Sequence, residues 1–427
     1  MSWAERTGGA APGGRQEPAD LIVTANGPGE ISGWLFPVAA ELRRRLAAST
    51  HRVRLFAWAP PCNFASGREL DALRALGPWD GVFGPSDMWR FLLRGVPPPG
   101  YRPAGRGLVL FLGGDLFYAA AAARRLRYPA LAYTEGRARW FWAYQRFFVP
   151  DEGAARRARA MGAPDGRVEV VGDLVVDAVL SRVGAVSRAG QASNAGTGGP
   201  LTVGLFAGSR DYEVRWVLPM MLRAAAIVKE RLREPVRFVA VRSPFSSQTA
   251  VQEGLEEAAT AIASSIEWVA GEDWTGVRRS EAMARCDVAI SVPGTVTAEL
   301  GALGVPTVTI LPLHRAELVP LEGVPGLIGS IPFVGPRLKA GIVRRGASRI
   351  GPISIPSRRA GRMIGPQIVG QFGPEAVAQE AMALLQDAAR RRALSGALRQ
   401  AMGPPGAARR IANEVLSRLG VGGAAAP

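Results

Sequence analysis

The sequence is poor in the residues that build metal sites and disulfide frameworks. Its 427 residues include two cysteines, Cys62 and Cys286, and two histidines, His51 and His314. Two cysteines so far apart argue against a disulfide framework or a cysteine-based metal site, and so few histidines argue against a histidine cluster. We therefore expect no metal and no cofactor. If the protein has a general base, a carboxylate is the best candidate.

Long apolar runs and acidic residues are also scarce. The most apolar window, 107–123, carries Asp115 in its middle and is too short to cross a bilayer. Residues 1–19 are polar and lack the apolar core of a signal peptide, so we interpret them as a disordered tail. Lysine and arginine outnumber aspartate and glutamate by 52 to 36, a net charge of +16. This charge favours nucleic acid, anionic membrane or phosphorylated substrates, without choosing among them.

Short apolar runs alternate with segments of helical periodicity from residue 21 onward. The runs that predict strands include 21–25, 53–57, 130–133, 146–149, 201–206 and 266–269. This alternation predicts an α/β protein with parallel sheets covered on both faces. A Ser/Ala/Gly-rich linker at 183–200 separates a first lobe, 20–182, from a second, 201–406. A last amphipathic helix, 407–419, is expected to pack back on the first lobe. Ligands of such sheets bind at the carboxyl ends of the strands, which here is the cleft between the lobes.

Residues 291–299 (SVPGTVTAE) form a glycine turn between an apolar strand and a short helix. Such a turn directs backbone N–H groups and the positive end of a helix dipole at one point, which suits a phosphate. Thr295 and Thr297 add hydroxyl donors, and Glu299 can accept hydrogen bonds from a sugar. The alternative is a turn that merely caps its helix.

Each lobe has a further glycine turn directly after its first strand. Residues 26–33 (NGPGEISG) allow close backbone approach to a ligand, but their spacing is not the dinucleotide fingerprint, and a plain tight turn remains open. In the second lobe, Gly208 and Ser209 precede Arg210, which can neutralise a diphosphate while Glu213 orients it. The alternative there is a serine-capped helix with a solvated Arg/Glu pair.

Asp115 follows Gly113 and Gly114 at the end of an apolar strand. A carboxylate in this position can take a proton from an acceptor hydroxyl, although it can equally serve as a helix N-cap. Six tryptophans fall in the first lobe, and part of segment 79–94 has the pattern of an amphipathic helix with arginines at its edges. That helix suits an acyl chain or a bilayer interface, and packing in an ordinary core is the alternative.

Taken together, these motifs resemble the lipid-A-disaccharide synthase family of glycosyltransferases. Residues 29–33 match the family's G-E-x-S-G-D loop, and Asp115 aligns with its strand-end aspartate. Residues 171–177 resemble V-G-H-P-x-x-D, residues 206–213 resemble L-P-G-S-R-x-x-E, and residues 291–306 resemble S-G-T-x-x-L-E…G-V-P. The five motifs occur in the family's order over most of 21–310.

The resemblance implies a GT-B fold, in which two Rossmann-like lobes with parallel sheets face each other across a cleft. It implies an inverting transfer of an acylated glucosamine from a UDP-sugar to a phosphorylated glycolipid at the membrane face, without metal and without nucleic acid as a partner. The protein is then expected to be cytoplasmic, with peripheral contact to the inner face of the plasma membrane. Asp115 would be the base, with Glu30 as a second catalytic candidate. The positions implied for substrate and UDP are Gly29, Ser32, Gly33, Gly208, Ser209, Arg210, Glu213, Gly294, Thr295, Thr297, Glu299, Ser357 and Gln367.

Five positions depart from the family pattern and leave donor and acceptor open. They are Trp34, Asp173, Pro293, Ser357 and Gln367. Two other functions are therefore retained. A UDP-GlcNAc epimerase would need further acid/base groups in the cleft, and the sequence offers none that are evident. A non-catalytic protein that binds nucleotides or polyanions would fit the charge and the lost positions.

Overall fold

The computed structural model describes residues 18–62, 67–183, 199–258, 261–269, 273–313 and 351–421. The tail predicted for 1–19 and the linker predicted for 183–200 lie almost wholly outside these ranges. Most of the Gly/Pro/Arg-rich segment 313–356, for which the sequence predicts loops with short elements, lies outside them as well. The described strands form two sheets, one of seven strands and one of six, and every strand pair is parallel.

The first sheet has the strand order β3-β2-β1-β4-β5-β6-β7. Its strands are β1 (Ala19–Thr24), β2 (Val53–Trp58), β3 (Gly81–Phe83), β4 (Gly107–Phe111), β5 (Ala130–Tyr133), β6 (Arg146–Val149) and β7 (Val168–Val170). The second sheet has the order β10-β9-β8-β11-β12-β13. Its strands are β8 (Leu201–Phe206), β9 (Val236–Val241), β10 (Ile266–Val269), β11 (Val288–Ser291), β12 (Thr307–Pro312) and β13 (Gln367–Gly370).

Helices connect the strands of both sheets. In the first half they are α1 (Phe36–Ala47), α2 (Glu69–Ala75), α3 (Pro85–Arg94), α4 (Leu116–Leu126), α5 (Glu152–Ala160) and α6 (Leu174–Arg182). In the second half they are α7 (Asp211–Arg231), α8 (Gln248–Ala258), α9 (Val277–Ala284), α10 (Thr295–Leu303), α11 (Ile355–Ala360), α12 (Pro374–Gln386), α13 (Ala388–Met402) and α14 (Ala407–Arg418). Short helical turns also occur at Pro28–Glu30, Ile31–Leu35, Phe141–Ala143, Asp165–Arg167 and Ala261–Ser265.

The central strands are mostly apolar because helices cover both faces of each sheet, although β1 also buries Asp20 and Thr24. All residues of β1, β4 and β5 are buried, whereas the edge strand β7 is half-exposed. The strands predicted at 130–133, 146–149, 201–206 and 266–269 agree with the structure. Strands β3 and β13 were not predicted, and both are short strands at the edge of a sheet.

The last helix, α14, packs against the first lobe. Its side chains Ile411, Ala412 and Val415 are fully buried in the core beneath the first sheet. Asp177 of α6 fixes the start of α14, since its carboxylate accepts hydrogen bonds from the backbone N–H groups of Gly406 at 2.5 Å and Ala408 at 2.7 Å. The chain therefore crosses from the second lobe back to the first at its end.

A buried ion pair joins the two lobes at Asp173, one of the five positions that depart from the family pattern. Asp173 caps α6, and its Oδ2 lies 2.6 Å from the Arg359 guanidinium of α11 in the second lobe. The Arg359 side chain is 10% exposed and the Asp173 side chain is 2% exposed. Although burial opposes it, the charge of Asp173 raises the pKa of Arg359 above its usual value. Asp173 thus makes an interlobe contact in the position of the family's histidine.

Candidate functional site

The strand order reverses once in each sheet, and the glycine turns follow the strands on either side of that reversal. In the first sheet these strands are β1 and β4, which lead into residues 26–33 and into Gly113, Gly114 and Asp115. In the second sheet they are β8 and β11, which lead into residues 207–210 and 292–294. Ligands of parallel α/β sheets bind in the crevice at such a reversal. All four turns therefore open where a ligand would be expected.

A cleft of about 370 Å³ lies between the two lobes. Ten of the residues predicted from the sequence line it: Gly29, Glu30, Ser32, Gly208, Ser209, Arg210, Glu213, Gly294, Thr295 and Glu299. The remaining five, Gly33, Asp115, Thr297, Ser357 and Gln367, are not among its lining residues. The cleft contains the turns predicted for the nucleotide but omits the strand-end aspartate.

Three of the residues outside the lining have structural partners. The buried Thr297 hydroxyl donates to the Gly294 carbonyl at 2.7 Å and accepts from the backbone N–H of Ile355 at 3.0 Å. The Ser357 hydroxyl accepts from the backbone N–H of Ile364 at 2.9 Å. The Gln367 amide oxygen accepts from the backbone N–H of Ile353 at 2.8 Å. These three side chains therefore bind backbone groups of the chain and do not line the cleft.

Glu30 ties the first glycine turn to the end of β4. Its Oε2 accepts hydrogen bonds from the backbone N–H groups of Gly27 at 2.7 Å, Gly114 at 2.9 Å and Asn26 at 3.3 Å. Burial raises the pKa of Glu30, while these donors act in the opposite direction. One oxygen with three backbone donors is a structural anchor, so Glu30 is a poor candidate for proton transfer.

Glu213 plays the same part in the second lobe. Its Oε2 accepts from the backbone N–H groups of Ser209 at 3.1 Å and Arg210 at 3.3 Å, and its Oε1 lies 3.3 Å from the Arg210 guanidinium. Gly208 has φ of 108°, and a β-carbon there would fall 2.3 Å from Oε2 of Glu213. Glycine is therefore required for this turn to close on its carboxylate.

The glycine turns of the two lobes meet at Thr295. A β-carbon on Gly29 would lie 2.2 Å from the Thr295 hydroxyl oxygen, so only glycine allows this approach. Gly294 has φ of 137°, and no atom lies within 4 Å of the position its β-carbon would take. The helix α10 begins directly after this exposed glycine and has no side-chain cap. Its positive end therefore faces the cleft without a capping side chain.

Glu299 is held by an arginine that the sequence reading did not single out. Its buried carboxylate pairs in a two-pronged contact with the Arg279 guanidinium of α9, with one N–O distance of 3.0 Å. A second cation, Arg182, is 5% exposed; burial lowers its pKa to about 10, with the charge of Glu299 acting in the opposite direction. The Arg182 guanidinium donates to the Ser32 carbonyl at 2.8 Å and so connects this cluster to the first glycine turn.

Besides Arg210, three arginines that were not predicted from the sequence line the cleft: Arg137, Arg279 and Arg358. Arg358 follows directly on Ser357, so in this segment the cleft is lined by the neighbour of the residue that the family motif indicates. Two further carboxylates, Glu135 and Asp273, also line the cleft. The expectation that the cleft lacks further acid/base groups was therefore wrong.

The two missed carboxylates differ in their surroundings. Asp273 accepts from the backbone N–H groups of Gly276 at 3.2 Å and Arg278 at 2.8 Å, and its pKa is lowered by these and neighbouring hydrogen bonds despite partial burial. The half-buried Glu135 follows β5, and within the described part of the chain its carboxylate has no hydrogen-bond partner. Glu135 is thus the lining carboxylate most available to a ligand.

Asp115 is exposed and caps α4, with its Oδ1 accepting from the backbone N–H of Phe117 at 2.9 Å. It adjoins Gly114, whose N–H is bound by the cleft residue Glu30. Neither Gly114 nor Asp115 lines the cleft, so Asp115 lies outside it, next to a residue that contacts Glu30.

Neither a metal site nor a membrane span is found in the described ranges. No group of three or more histidine, cysteine, aspartate or glutamate side chains there is arranged to hold a metal ion. No helix there is both long and apolar enough to cross a bilayer.

The curated relatives of the chain are lipid-A-disaccharide synthases. It is 29% identical over 222 residues to the enzyme of Syntrophus aciditrophicus, covering 51% of this chain and 49% of that one. It is 30% identical over 222 residues to the enzyme of Anaeromyxobacter dehalogenans, covering 50% and 49%. The chain spans about half the length of the curated relatives it matches. No protein-family model matches the sequence. The chain is a distant relative of this family.

Solved structures of similar shape cover almost the whole chain. MnaA of S. aureus in complex with UDP has a TM-score of 0.59 at 12% identity, covering 94% of this chain and 97% of that one. UDP-GlcNAc 2-epimerase from Neisseria meningitidis bound to UDP-GlcNAc has a TM-score of 0.54 at 14% identity, covering 93% and 100%. At such identity these likenesses concern the fold alone. The two-lobed α/β architecture is GT-B, as the family resemblance implied.

Proposed function

We propose that the protein is an inverting, UDP-sugar-dependent glycosyltransferase. It transfers glucosamine, acylated or not, to a lipid or phosphorylated glycolipid acceptor. The observation that carries this proposal is the convergence of the Gly29, Arg210 and Gly294 turns on one interlobe cleft. The distant lipid-A-disaccharide synthases favour the same chemistry.

In this proposal the donor diphosphate lies at the start of α10, where Gly294 leaves open space and Thr295 offers a hydroxyl. Arg210 neutralises the charge that develops on the leaving UDP, because a guanidinium can pair with phosphate through two N–H groups. Glu299, fixed by Arg279, accepts hydrogen bonds from the ribose. No cofactor is assigned, since the UDP-sugar is a substrate.

The reaction requires a base on the acceptor side. The acceptor oxygen attacks the anomeric carbon, the bond from that carbon to the UDP oxygen breaks, and a carboxylate takes the acceptor proton. Asp115 has the strand-end position and the family alignment, whereas Glu135 lines the cleft, and within the described residues its carboxylate accepts no hydrogen bond. Substituting each separately distinguishes the two.

The first test is nucleotide binding. Titration calorimetry with UDP and UDP-GlcNAc should give binding to the wild type and at least a tenfold loss in Arg210→Gln, about 1.4 kcal/mol per tenfold. The control is Arg231→Gln, an exposed arginine at the end of α7. If no uridine nucleotide binds the wild type, neither a UDP-sugar glycosyltransferase nor a UDP-GlcNAc epimerase remains as a function.

The second test is turnover. UDP release is followed with a lipid extract as acceptor, comparing Asp115→Asn with Glu135→Gln at equal UDP affinity. The variant that loses at least a hundredfold in rate identifies the base, since general-base catalysis contributes about 10²–10⁴-fold. Normal rates in both variants would refute a carboxylate base at either position. Binding without turnover would instead favour a non-catalytic protein that binds nucleotides.

An epimerase acting on UDP-GlcNAc is the second candidate. The observation that favours it is the position of Glu135, because an epimerase needs an additional acid/base group in the cleft. Incubation with UDP-GlcNAc in deuterated water distinguishes the two activities. Deuterium at C2 of the sugar without any acceptor supports epimerisation, and its absence together with acceptor-dependent UDP release supports transfer.

A further inference from the structure

A second cavity, which we call the arginine pocket, lies at the end of the second sheet opposite the cleft. Its volume is about 110 Å³. Asp287, directly before β11, and Pro306, directly before β12, line it, so it opens at the amino end of the sheet whose carboxyl end faces the cleft. One face of α13 forms its other side. This face contributes Arg391, Arg392, Ser395 and Arg399, at the three- and four-residue spacing of neighbours on a helix.

Positive charge dominates the lining of the arginine pocket. Among the described lining residues, the cations are Arg285, Arg391, Arg392 and Arg399, and the one carboxylate is Asp287. Glu267, outside the pocket, pairs with Arg285 at 2.7 Å. With Glu267 counted, four cations still face two carboxylates, an excess of two. A cavity lined by charge of one sign concentrates counter-ions of the other sign, so the pocket attracts anions.

The α13 side of the pocket holds hydrogen-bond donors that the described chain does not use. Arg392 is exposed, and its guanidinium forms no ion pair or hydrogen bond with any described residue. The Ser395 hydroxyl likewise has no partner within the described ranges. Arg391 binds the carbonyls at the end of α12 through Nη1, 2.8 Å from the Leu384 oxygen, and in the part of the chain that is described its Nε and Nη2 have no partner. Guanidinium and hydroxyl donors are therefore available together.

We propose that the arginine pocket binds a phosphate group, either free or at the end of a small phosphate ester. Phosphate presents several acceptor oxygens, which guanidinium groups bind in pairs, and the Ser395 hydroxyl adds a further donor. The pocket has less than a third of the 370 Å³ of the cleft. Its size therefore suits a phosphate group rather than a second nucleotide sugar.

Capping of helix ends is the alternative role for these arginines. Arg391 binds carbonyls at the end of α12, and Arg399 donates from Nη2 to the Leu303 carbonyl at the end of α10 at 2.9 Å. Cations are favoured at such helix ends. Capping does not account for Arg392 and Ser395, however, because neither side chain contacts a carbonyl of the described residues.

Helix α10 connects the arginine pocket to the cleft. It begins at Thr295, which lines the cleft, and ends at Leu303, which lines the pocket, and its nine residues span about 14 Å. A phosphate that engages Arg399 competes with the Leu303 carbonyl and places negative charge at the unfavourable end of the helix dipole. We therefore expect phosphate in the pocket to weaken UDP binding about two- to fivefold, the scale of one charge at a helix end. This coupling rests on the proposed function, whereas phosphate binding does not.

Arginine footprinting of the full chain tests the binding. Phenylglyoxal modifies accessible arginines, and peptide mapping by mass spectrometry locates each product. Saturating inorganic phosphate should slow the modification of Arg392 by about tenfold or more, because the anion occupies its guanidinium. Arg390 is exposed on the same helix but does not line the pocket, so its rate should not change. Sodium chloride at equal ionic strength is the control for charge screening.

A double variant tests which donors hold the phosphate. Arg392→Gln with Ser395→Ala should raise the phosphate concentration needed for protection by about tenfold or more, because it removes a charged and a neutral donor. Arg285, which lines the pocket and whose side chain is 52% exposed, reports protection in this variant. The matched control is Arg390→Gln, which removes one charge from the same helix outside the pocket.

Glycerol phosphate, titrated in the same assay, identifies the source of the phosphate group. Protection of Arg392 at a lower concentration than inorganic phosphate requires assigns the pocket to phosphate esters. Protection only at a higher concentration assigns it to free phosphate.

Three results would overturn the phosphate site. The first is no protection of Arg392 by phosphate, or equal protection by chloride. The second is equal protection of Arg390. The third is undiminished protection of Arg285 in the double variant.

UDP affinity, measured with and without phosphate, tests the coupling separately. Phosphate should weaken UDP binding more in the wild type than in Arg392→Gln with Ser395→Ala. An equal loss in both proteins would mean that phosphate competes in the cleft itself, which would overturn the coupling. Failure of the wild type to bind UDP would refute the proposed function without changing the footprint, so the two failures are distinguishable.

Discussion

The pair formed by Arg279 and Glu299 makes an unequal prediction for its two members. The Glu299 side chain is 2% exposed and the Arg279 side chain is 22% exposed. Arg279→Gln leaves a carboxylate in the interior, whereas Glu299→Gln leaves a guanidinium that can still reach water. Breaking a buried pair from one side costs about 3–5 kcal/mol when the remaining charge stays buried.

Arg182 sets the value toward the low end of that range, because its charge lies close enough to Glu299 to interact with it. We expect Arg279→Gln to lower the free energy of unfolding by about 3 kcal/mol. We expect Glu299→Gln to lower it by about 1–2 kcal/mol, the scale of lost charged hydrogen bonds with water as a partial substitute. The double variant should be more stable than Arg279→Gln alone, because it removes the uncompensated charge.

Equilibrium urea unfolding followed by tryptophan fluorescence measures all three variants. An equal loss of stability in Glu299→Gln and Arg279→Gln, or a double variant that is less stable than Arg279→Gln alone, would contradict this prediction. UDP affinity measured in parallel should fall in both single variants, since the proposed ribose contact needs the carboxylate and its fixed orientation.

Three further predictions concern the neighbourhood of the cleft and the core. Gly29→Ala should destabilise the protein by about 1–3 kcal/mol in thermal unfolding because its new methyl meets the Thr295 hydroxyl, and adding Thr295→Ala should restore part of the loss. Burial raises the pKa of Asp177, so the stability it contributes is fully present below the unfolded value of 3.8 and is lost as pH rises through the folded value. The stability advantage of wild type over Asp177→Asn should therefore be larger at about pH 3.5 than at about pH 7 in urea unfolding, and an equal advantage would contradict this sign. Burial raises the pKa of Cys286 to about 12, so its thiol should react with Ellman's reagent only after unfolding, and rapid reaction of that thiol in the native protein would contradict its burial.

The sequence allowed the fold to be predicted because its central strands are apolar on both faces. The runs at 130–133 and 201–206 are short, uniformly apolar and bounded by polar turns, which is what a covered parallel strand requires. The edge strand β13 was not predicted because its residues are only half-buried. An edge strand has one neighbour, so its sequence is under weaker constraint.

The candidate site was predicted better at the backbone than at the side chains. Glycine turns leave a sequence signal because φ values such as those of Gly208 and Gly294 exclude most other residues. Arg279 and Glu135 leave no such signal, since arginine and glutamate are common on any surface. Their position in the cleft depends on how the second lobe sits against the first, which no local pattern encodes.

The anchoring of the glycine turns by Glu30 and Glu213 has a consequence for where an anion can sit. Each turn already contains an anion of its own, supplied by the chain, and that carboxylate engages the backbone N–H groups that a phosphate would otherwise use. A phosphate at either turn would have to displace a covalently attached competitor of like charge. Among the turns after β1, β8 and β11, the one at Gly294 has no side-chain cap. The backbone N–H groups of the first and second turns are thus engaged by carboxylates of the chain itself, and the proposed site of a diphosphate is the third turn.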